Sequence, residues 1–386
     1  MSVADFLVIG GGVAGLSAAA LLARHGKTIV FEAEAALGYH SSGRSVSFSH
    51  FGIGGAAVKG LTAYSRRFFE EQEDGFCATS IAGVVPSLYF ATQAELPALA
   101  TLQRDMARFT SAIEEVGEAE MAALCPVLKV GSDSAVRGLL DKSGLKLDAD
   151  ALLHSFARTL RQSDGELVTG CRIAGIESVE NGWTATDEKG ERWSAPILVN
   201  AAGAWADQVA ELAGVAPLGL EPKRRTIIVV APPAGTDPAG WPFILSAAND
   251  FYMLTEAGRL LVSPVDEVAS SPCDAAPEDY DIALAADRLQ HYTSIAAPRI
   301  AHRWAGLRSF VADRVPTAGF AADAPGFFWL AGQGGYGLQT APAMAEIAEA
   351  LITGSVWPAG LSALGVEPGQ ITPDRLRAAF PGGFLG

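Results

Sequence analysis

The sequence predicts an α/β chain in which a parallel-sheet domain is interleaved with a second domain built on an antiparallel β-sheet with helices. Three observations predict it. A strand, a glycine-rich turn and a helix follow one another near the N-terminus. The same construction recurs over residues 197–214 and 326–354, and the stretches between carry β-patterned runs ended by Pro and Gly. A length of 386 residues with 49% hydrophobic content suits about two to three domains with sizeable cores. No internal repeat, heptad pattern or disordered linker separates them. The expected division is therefore discontinuous, with residues 1–80, 140–217 and 302–386 in one domain and 81–139 and 218–301 in the other.

In "DFLVIGGGVAGLSAAALLARHGKTIVFEAE" the apolar run Phe6 to Ile9 meets Gly10, Gly12 and Gly15, and a helical pattern follows through Leu16, Ala19, Ala20 and Ala23. Gly10 allows a tight turn, Gly12 lets a diphosphate approach the backbone, and Gly15 permits close packing of helix on strand. The phosphates then lie at the helix N-terminus, by Val13 and Ala14. A second strand, Thr28 to Phe31, ends at Glu32 and Ala33. A carboxylate at that point accepts hydrogen bonds from ribose hydroxyls and repels a 2′-phosphate. Strand, turn, helix and acid together mark a Rossmann-type dinucleotide site. These residues alone leave NAD and FAD open.

The loop "GYHSSGRSVS", residues 38–47, offers His40, Ser41, Ser42, Gly43, Arg44 and Ser45 to wrap a diphosphate with hydroxyls and a guanidinium. "ILVNAAGAWADQVAELAG" is a strand, a small-residue turn through Ala201, Ala202, Gly203 and Trp205, and a helix. "GFFWLAGQGGYGLQTAPAMAEIAEALITG" repeats that order. Its helix, expected to begin near Gln339 to Pro342, aims backbone N–H groups and about half a positive charge at the loop before it.

Between these segments, "AGVVPSLYFAT", "LEPKRRTIIVVAPP" and "FYMLTEAGRLLVSP" read as strands, the last a hairpin through Glu256, Ala257 and Gly258. Alternation places Arg225, Ile227 and Val229 on one side of the middle strand and Arg224, Thr226 and Ile228 on the other. One guanidinium thus faces inward. It needs an anion there, supplied by an internal Asp or Glu or by a ligand.

The net charge of -15 argues against nucleic-acid binding and against attraction to an anionic membrane, both of which need a basic face. The N-terminus lacks a basic n-region, and the uncharged run Ala324 to Ala345 is broken by Pro325, Gln333, Gln339 and glycines, so no membrane insertion is expected. Cys77, Cys125, Cys171 and Cys273 lie far apart without metal spacing, which suits a reducing cytoplasm and no metal site.

The glycine fingerprint, "SSGRS", "NAAGAWAD", "WAGLRSFVADRVPTAG" and "GQGGYGLQT" stand in the order typical of the D-amino acid oxidase and glycine oxidase superfamily of FAD enzymes, which the chain resembles over nearly its whole length. Within that superfamily it most resembles bacterial D-arginine dehydrogenases, through "GYHSSGRS", "PLGLEPKRR", "FY", "WAGLRSFVAD" and "QGGYGLQT". The resemblance implies a Rossmann-type FAD-binding domain with non-covalent FAD, since no cysteine lies in the C-terminal glycine loop. It implies that Glu32 and Ala33 hold the adenosine ribose, and that His40 to Ser45 cover the pyrophosphate. Ile173, Ala201, Ala202, Gly203 and Trp205 would line the cofactor. Gly332, Gly334, Gly335, Tyr336, Gly337, Leu338, Gln339 and Thr340 would follow the isoalloxazine edge.

It further implies that Arg225, Arg308 and Tyr252 anchor a substrate carboxylate beneath an antiparallel sheet that roofs the flavin. The substrate amine would donate to the Gly335 carbonyl or to Gln339, leaving Cα–H over flavin N5 for hydride transfer. Two fixed guanidinium groups lower the pKa of that amine, so no side-chain base is required. The chain also departs from the D-arginine dehydrogenases. They carry a glutamate for the guanidinium where Ser87 aligns, and a histidine and a tyrosine where Phe48 and Ile53 align, with His50 nearby as a polar substitute. A pocket without its anionic end points to a neutral, apolar D-amino acid. Oxidation of a secondary amine or imino acid, or of a 2-hydroxy acid with His50 as base, stays as an alternative, as does a non-catalytic flavoprotein subunit. The electron acceptor (quinone, carrier or O2) is left open.

Overall fold

The computed structural model describes residues 2–296 and 299–379, so the expected domain segments 218–301 and 302–386 each include a few positions outside the described residues. A six-stranded sheet forms the first scaffold, in the order Glu166–Val168, Thr28–Phe31, Phe6–Ile9, Ile197–Asn200, Phe327–Ala331 and Thr317–Phe320. Its pairs are parallel except the last. The runs FLVI and TIVF are buried at every position. Continuous apolar runs are what strands covered on both faces require. On one face lie the helices Val13–Leu22, Ala149–Gln162 and Gly337–Thr353, joined to the sheet through Leu16, Leu152, Phe156, Leu338 and Met344. A four-stranded sheet that includes Ile173–Val179 and Gly182–Asp187 covers the other face through Trp183, Trp193 and Trp329.

The second scaffold is a nine-stranded sheet. Its order runs Val268–Ala269, Glu221–Val230, Arg259–Ser263, Tyr252–Glu256, Phe243–Ser246, Ser87–Ala91, Arg137–Asp141, Ile113–Val116, and Ile300–Phe310 also pairs with Glu221–Val230. It is antiparallel except for one parallel pair, Phe243–Ser246 with Ser87–Ala91, which the sequence did not signal. The limits expected at 139/140 and 301/302 fall inside the strands Arg137–Asp141 and Ile300–Phe310. The hairpin forms where its turn residues place it. Ala257 and Gly258 both have positive φ (47° and 70°), the geometry whose twist matches that of the flanking strands. Helix Asp279–Tyr292 packs on one face of this sheet through Ile282, Ala285 and Leu289, while Val46, Phe48, Ile227, Phe243 and Tyr252 cluster on the other.

Candidate functional site

A cavity of about 430 Å³ lies where the two large sheets face each other. At one end the first turn behaves as its glycines dictate. Gly10 has φ 115°, and a Cβ there would lie 2.3 Å from the Ala201 carbonyl oxygen; one on Gly15 would lie 2.0 Å from that of Gly10. Gly10, Gly12, Val13 and Ala14 therefore reach the cavity, whereas Gly15 stays behind it as a packing position. Helix Val13–Leu22 has no side-chain cap from Gly12. The Ser42 hydroxyl serves instead, accepting from the Val13 N–H at 3.0 Å.

Glu32 is held by two backbone donors, Gly11 N–H to Oε2 and Glu34 N–H to Oε1, each at 2.8 Å. Burial pushes its carboxyl upward and these two bonds oppose that shift. Each oxygen keeps a second lone pair, and Glu32, Ala33 and Ile173 lie on the wall. Cys171 lies at the same end, its thiol pushed up to about 11, chiefly by burial. Ala201, Ala202, Gly203 and Trp205 complete this part of the wall. His40 packs tilted against Trp205 with ring centroids 4.5 Å apart and meets Glu34 at 3.0 Å.

The serine loop divides its roles. Ser41 donates to the Leu307 carbonyl at 2.6 Å, and Ser45 lies on the wall with its hydroxyl accepting from Ser47 N–H at 3.0 Å. Gly43 closes a turn onto the Gly38 carbonyl and stays off the wall. Arg44, expected to meet the diphosphate, lies on the wall, and its guanidinium is also engaged by protein groups. It donates to the carbonyls of Tyr39, Ala275 and Ala305 and pairs with Asp274, so it ties the loop to the opposite sheet. In the last glycine loop Gly332 and Gly334 have positive φ, 73° and 52°. Gly332, Gly334, Gly335, Tyr336, Gly337, Leu338 and Gln339 line the cavity. The helix begins at Gly337, two residues ahead of the expected start, and Thr340 lies behind the wall with its hydroxyl donating to the Tyr336 carbonyl at 2.9 Å.

The other end carries cations. Arg225, Tyr252 and Arg308 all reach the cavity, with Val46, Phe48 and Ile227 beside them. Arg308 lies flat against Gly335, where a Cβ would sit 2.7 Å from Nη1. Among the described residues no carboxylate forms an ion pair with Arg308, and burial followed by the charge of Arg225 brings its pKa down to about 10. Arg225 is less free. Its Nε donates to the Asp266 carbonyl at 2.8 Å, and Nη2 meets Glu267 at 3.4 Å. Arg224 points the other way and donates to Asp281 at 2.7 Å and to Glu278. The Tyr252 hydroxyl is buried with no protein partner among the described residues.

Of the four residues expected around the substrate side chain, only Phe48 reaches the wall. His50 sits behind it, 5.9 Å from the Phe48 ring and 5.6 Å from Phe243, with Nδ1 2.7 Å from the Tyr89 hydroxyl. Burial, Arg308 and Lys59 lower its pKa to about 3, which keeps the imidazole neutral behind the wall. Ile53 packs against Val58, Phe310 and Tyr336. Ser87 is fully buried opposite Asp141. Gln339 is on the wall, but its amide accepts from His50 N–H at 3.2 Å and donates to Thr62 at 2.7 Å, which occupies it with loop positioning. Val46, Ile227 and Gln333 line the cavity without having been singled out; the alternation that placed Arg225 also places Ile227.

A dinucleotide-type cradle of strand, glycine turn and acid, opening onto a second sheet with inward arginines, fits a flavin oxidoreductase. The donors fit the group: helix N-termini for a diphosphate and Glu32 for a ribose. The chain belongs to the FAD dependent oxidoreductase (DAO) family, which it matches over residues 5–351. FAD-dependent oxidoreductase domain-containing protein 1 of Xenopus laevis is 26% identical over 221 residues, 51% of this chain and 42% of that protein, so the match spans under half of that relative. Three solved structures share the fold. L-proline dehydrogenase from P. horikoshii has a TM-score of 0.84 at 19% identity, covering 98% of this chain and 99% of that one. FAD-bound L-alpha-glycerophosphate oxidase from Mycoplasma pneumoniae has 0.82 at 19%, covering 92% and 95%. Glycine oxidase from Geobacillus kaustophilus has 0.80 at 18%, covering 92% and 96%. No helix among the described residues is long and apolar enough to cross a membrane.

Proposed function

We propose that this oxidoreductase oxidises a neutral, apolar D-amino acid to the 2-imino acid, which water then converts to the 2-oxo acid and ammonia. The observation that carries the reading is Arg308, an inward guanidinium with no ion-pair partner among the described residues, beside the unpartnered hydroxyl of Tyr252. Two cations and one hydroxyl converging on a cavity suit a carboxylate. Arg308 takes the larger share, because Arg225 already meets the Glu267 carboxylate at 3.4 Å and the Asp266 carboxylate at 3.9 Å.

Bound FAD supplies the acceptor for a hydride. The chain's own residues supply position. Arg308, Arg225 and Tyr252 fix the carboxylate, and the Gly335 carbonyl accepts from the amine, whose deprotonation the two cations favour. The freed lone pair on nitrogen forms the C=N bond as the Cα hydride departs. No side-chain base is needed; His50 lies off the wall and its lowered pKa of about 3 makes it a weak proton acceptor. Val46, Phe48 and Ile227 favour an apolar side chain by about 25 cal/mol per Å² buried. Among the described residues a cationic side chain would meet no carboxylate on that part of the wall. The D hand is carried over from the resemblance to D-arginine dehydrogenases, the electron acceptor is unassigned, and the four free cysteines support a reducing cytoplasm.

The test is anaerobic bleaching of the bound flavin across D- and L-amino acids, sarcosine, proline and 2-hydroxy acids. D-leucine, D-phenylalanine or D-methionine should bleach it quickly and D-arginine slowly. Arg308→Met should raise KM about 10- to 100-fold, more than Arg225→Met does, with FAD retained. Faster bleaching by D-arginine would overturn the side-chain assignment. Bleaching only by secondary amines or hydroxy acids would overturn the amino-acid assignment.

A further inference from the structure

Arg225 has a carboxylate of the protein beside it, Glu267, and a third arginine holds that carboxylate toward the outside. Beyond strand Arg259–Ser263 the chain turns at Val265, a β-branched residue at φ 55°, a conformation such residues adopt only where their surroundings impose it. The next two residues both serve Arg225. The Asp266 carbonyl accepts from Nε at 2.8 Å, while the Asp266 carboxylate is held by the N–H and hydroxyl of Thr226 at 2.7 and 2.9 Å. Glu267 follows, with Oε1 3.4 Å from Arg225 Nη2.

Glu267 leans the other way. Arg314 Nη2 donates to its Oε1 at 2.8 Å and to its Oε2 at 3.0 Å, both closer than the contact with Arg225. Arg314 is itself firmly placed. Its Cζ lies 3.9 Å from the centroid of the Phe310 ring, its N–H donates to the Val311 carbonyl at 2.9 Å, and its carbonyl accepts from the Tyr336 hydroxyl. It follows the strand Ile300–Phe310 that presents Arg308, so clamp and restraint hang on one element. Burial raises the Glu267 carboxyl pKa, but Arg314, Arg225 and Arg308 together bring it below the ordinary value, so the group is ionised at neutral pH. At 3.4 Å its hydrogen bond to Arg225 is weak. Coulomb attraction falls only with the inverse of distance, however, and Arg225 is buried whereas Arg314 is half-exposed. Glu267 therefore still lowers the positive potential that Arg225 presents to the cavity.

We propose that Glu267 competes with a bound carboxylate for Arg225, and that Arg314 limits this competition by holding Glu267 at the edge of the site. Glu267 is a positioning residue that acts through Arg225 and sets the affinity of the clamp. Substrate and 2-oxo acid carry the same carboxylate, so the competition weakens capture of the one and speeds release of the other. The proposal rests on the reading of Arg308, Arg225 and Tyr252 as a carboxylate clamp, and not on which side chain the substrate bears.

The test is calorimetric titration of the FAD-loaded enzyme with benzoate, an apolar monocarboxylate that lacks an amine and is not turned over. Glu267→Gln keeps the shape and removes the charge. It should tighten benzoate about 3- to 10-fold, a gain that damage to the fold does not imitate. Arg314→Met keeps an apolar stem over Phe310 and frees Glu267 to turn to Arg225, so it should weaken benzoate by a similar factor. With both changes together the affinity should return to that of Glu267→Gln alone, because Arg314 acts through Glu267. Unchanged or weaker binding in Glu267→Gln would overturn the proposal. So would a loss from Arg314→Met that persists in full with Gln at 267, since Arg314 would then act on the ligand directly. Arg308→Met separates this proposal from the clamp. If it weakens benzoate while Glu267→Gln changes nothing, the clamp stands and the proposal fails; if it leaves benzoate binding intact, the clamp reading fails and the proposal falls with it.

Discussion

The protonation state of His50 follows from its surroundings and not from its residue type. Its ring is buried between Phe48, Phe243 and Tyr89, and burial together with Arg308 and Lys59 lowers its pKa to about 3. In the unfolded chain the same imidazole titrates near about 6.5. Below that pH the unfolded state binds a proton that the native state refuses. Stability from this residue is therefore whole above about pH 6.5 and is lost as pH falls toward about 3. His50→Gln should flatten the acid side of a plot of Tm against pH, and an unchanged slope would place the acid sensitivity elsewhere. The pH profile of kcat/KM should show no limb between pH 5 and 8 that His50→Gln removes. A base at this position would produce such a limb.

The strand Glu221–Val230 sends neighbouring arginines to opposite faces and gives each a different task. Arg225 looks into the cavity, while Arg224 pins the sheet to helix Asp279–Tyr292 through Asp281, with both side chains nearly inaccessible to water. Removing one partner of such a pair strands the other charge. Asp281→Ala should cost about 3–5 kcal/mol in urea unfolding, and Arg224→Met combined with Asp281→Leu should recover most of it. The flavin spectrum should stay unchanged, since this pair faces away from the cavity. If Asp281→Ala leaves stability intact, the pair does not hold helix to sheet. Alternation along this strand was legible in the sequence, as were the strands Phe6–Ile9 and Thr28–Phe31 and the hairpin, although Glu256, expected in its turn, ends the strand. Alternation specifies a face but not a layer. For that reason Phe48 reaches the wall while His50, two residues on, lies behind it, and Ser87 lies deeper still. Asp281 could not be named as the partner of Arg224, because no local pattern links residues so far apart in the chain. The engagement of Arg44 was hidden for the same reason, since its partners Asp274, Ala275 and Ala305 come from distant segments.

At the scale of the molecule, the cavity is a joint between two sheets, and the cofactor loop is stitched to the far side of it. Ser41 donates to the Leu307 carbonyl at 2.6 Å, Trp304 Nε1–H donates to the Arg44 carbonyl at 2.9 Å, and Arg44 reaches the carbonyls of Ala275 and Ala305. A loop that belongs by sequence to the nucleotide half thus has many of its bonds in the half that roofs it. Strand Ile300–Phe310 also carries Arg308, so the element that fastens the loop presents the substrate cation. FAD bound in this joint should stabilise both halves together. A ligand that binds only the folded state contributes RT ln(1 + [L]/Kd), about 2.7 kcal/mol at a free concentration one hundred times Kd. Scanning calorimetry should accordingly give one cooperative transition whose Tm rises as FAD is added. Two transitions, with FAD moving only one, would mean that the bonds across the joint are too weak to couple the halves. In that case the fixed spacing between Arg308 and the cofactor would have to come from the ligands themselves.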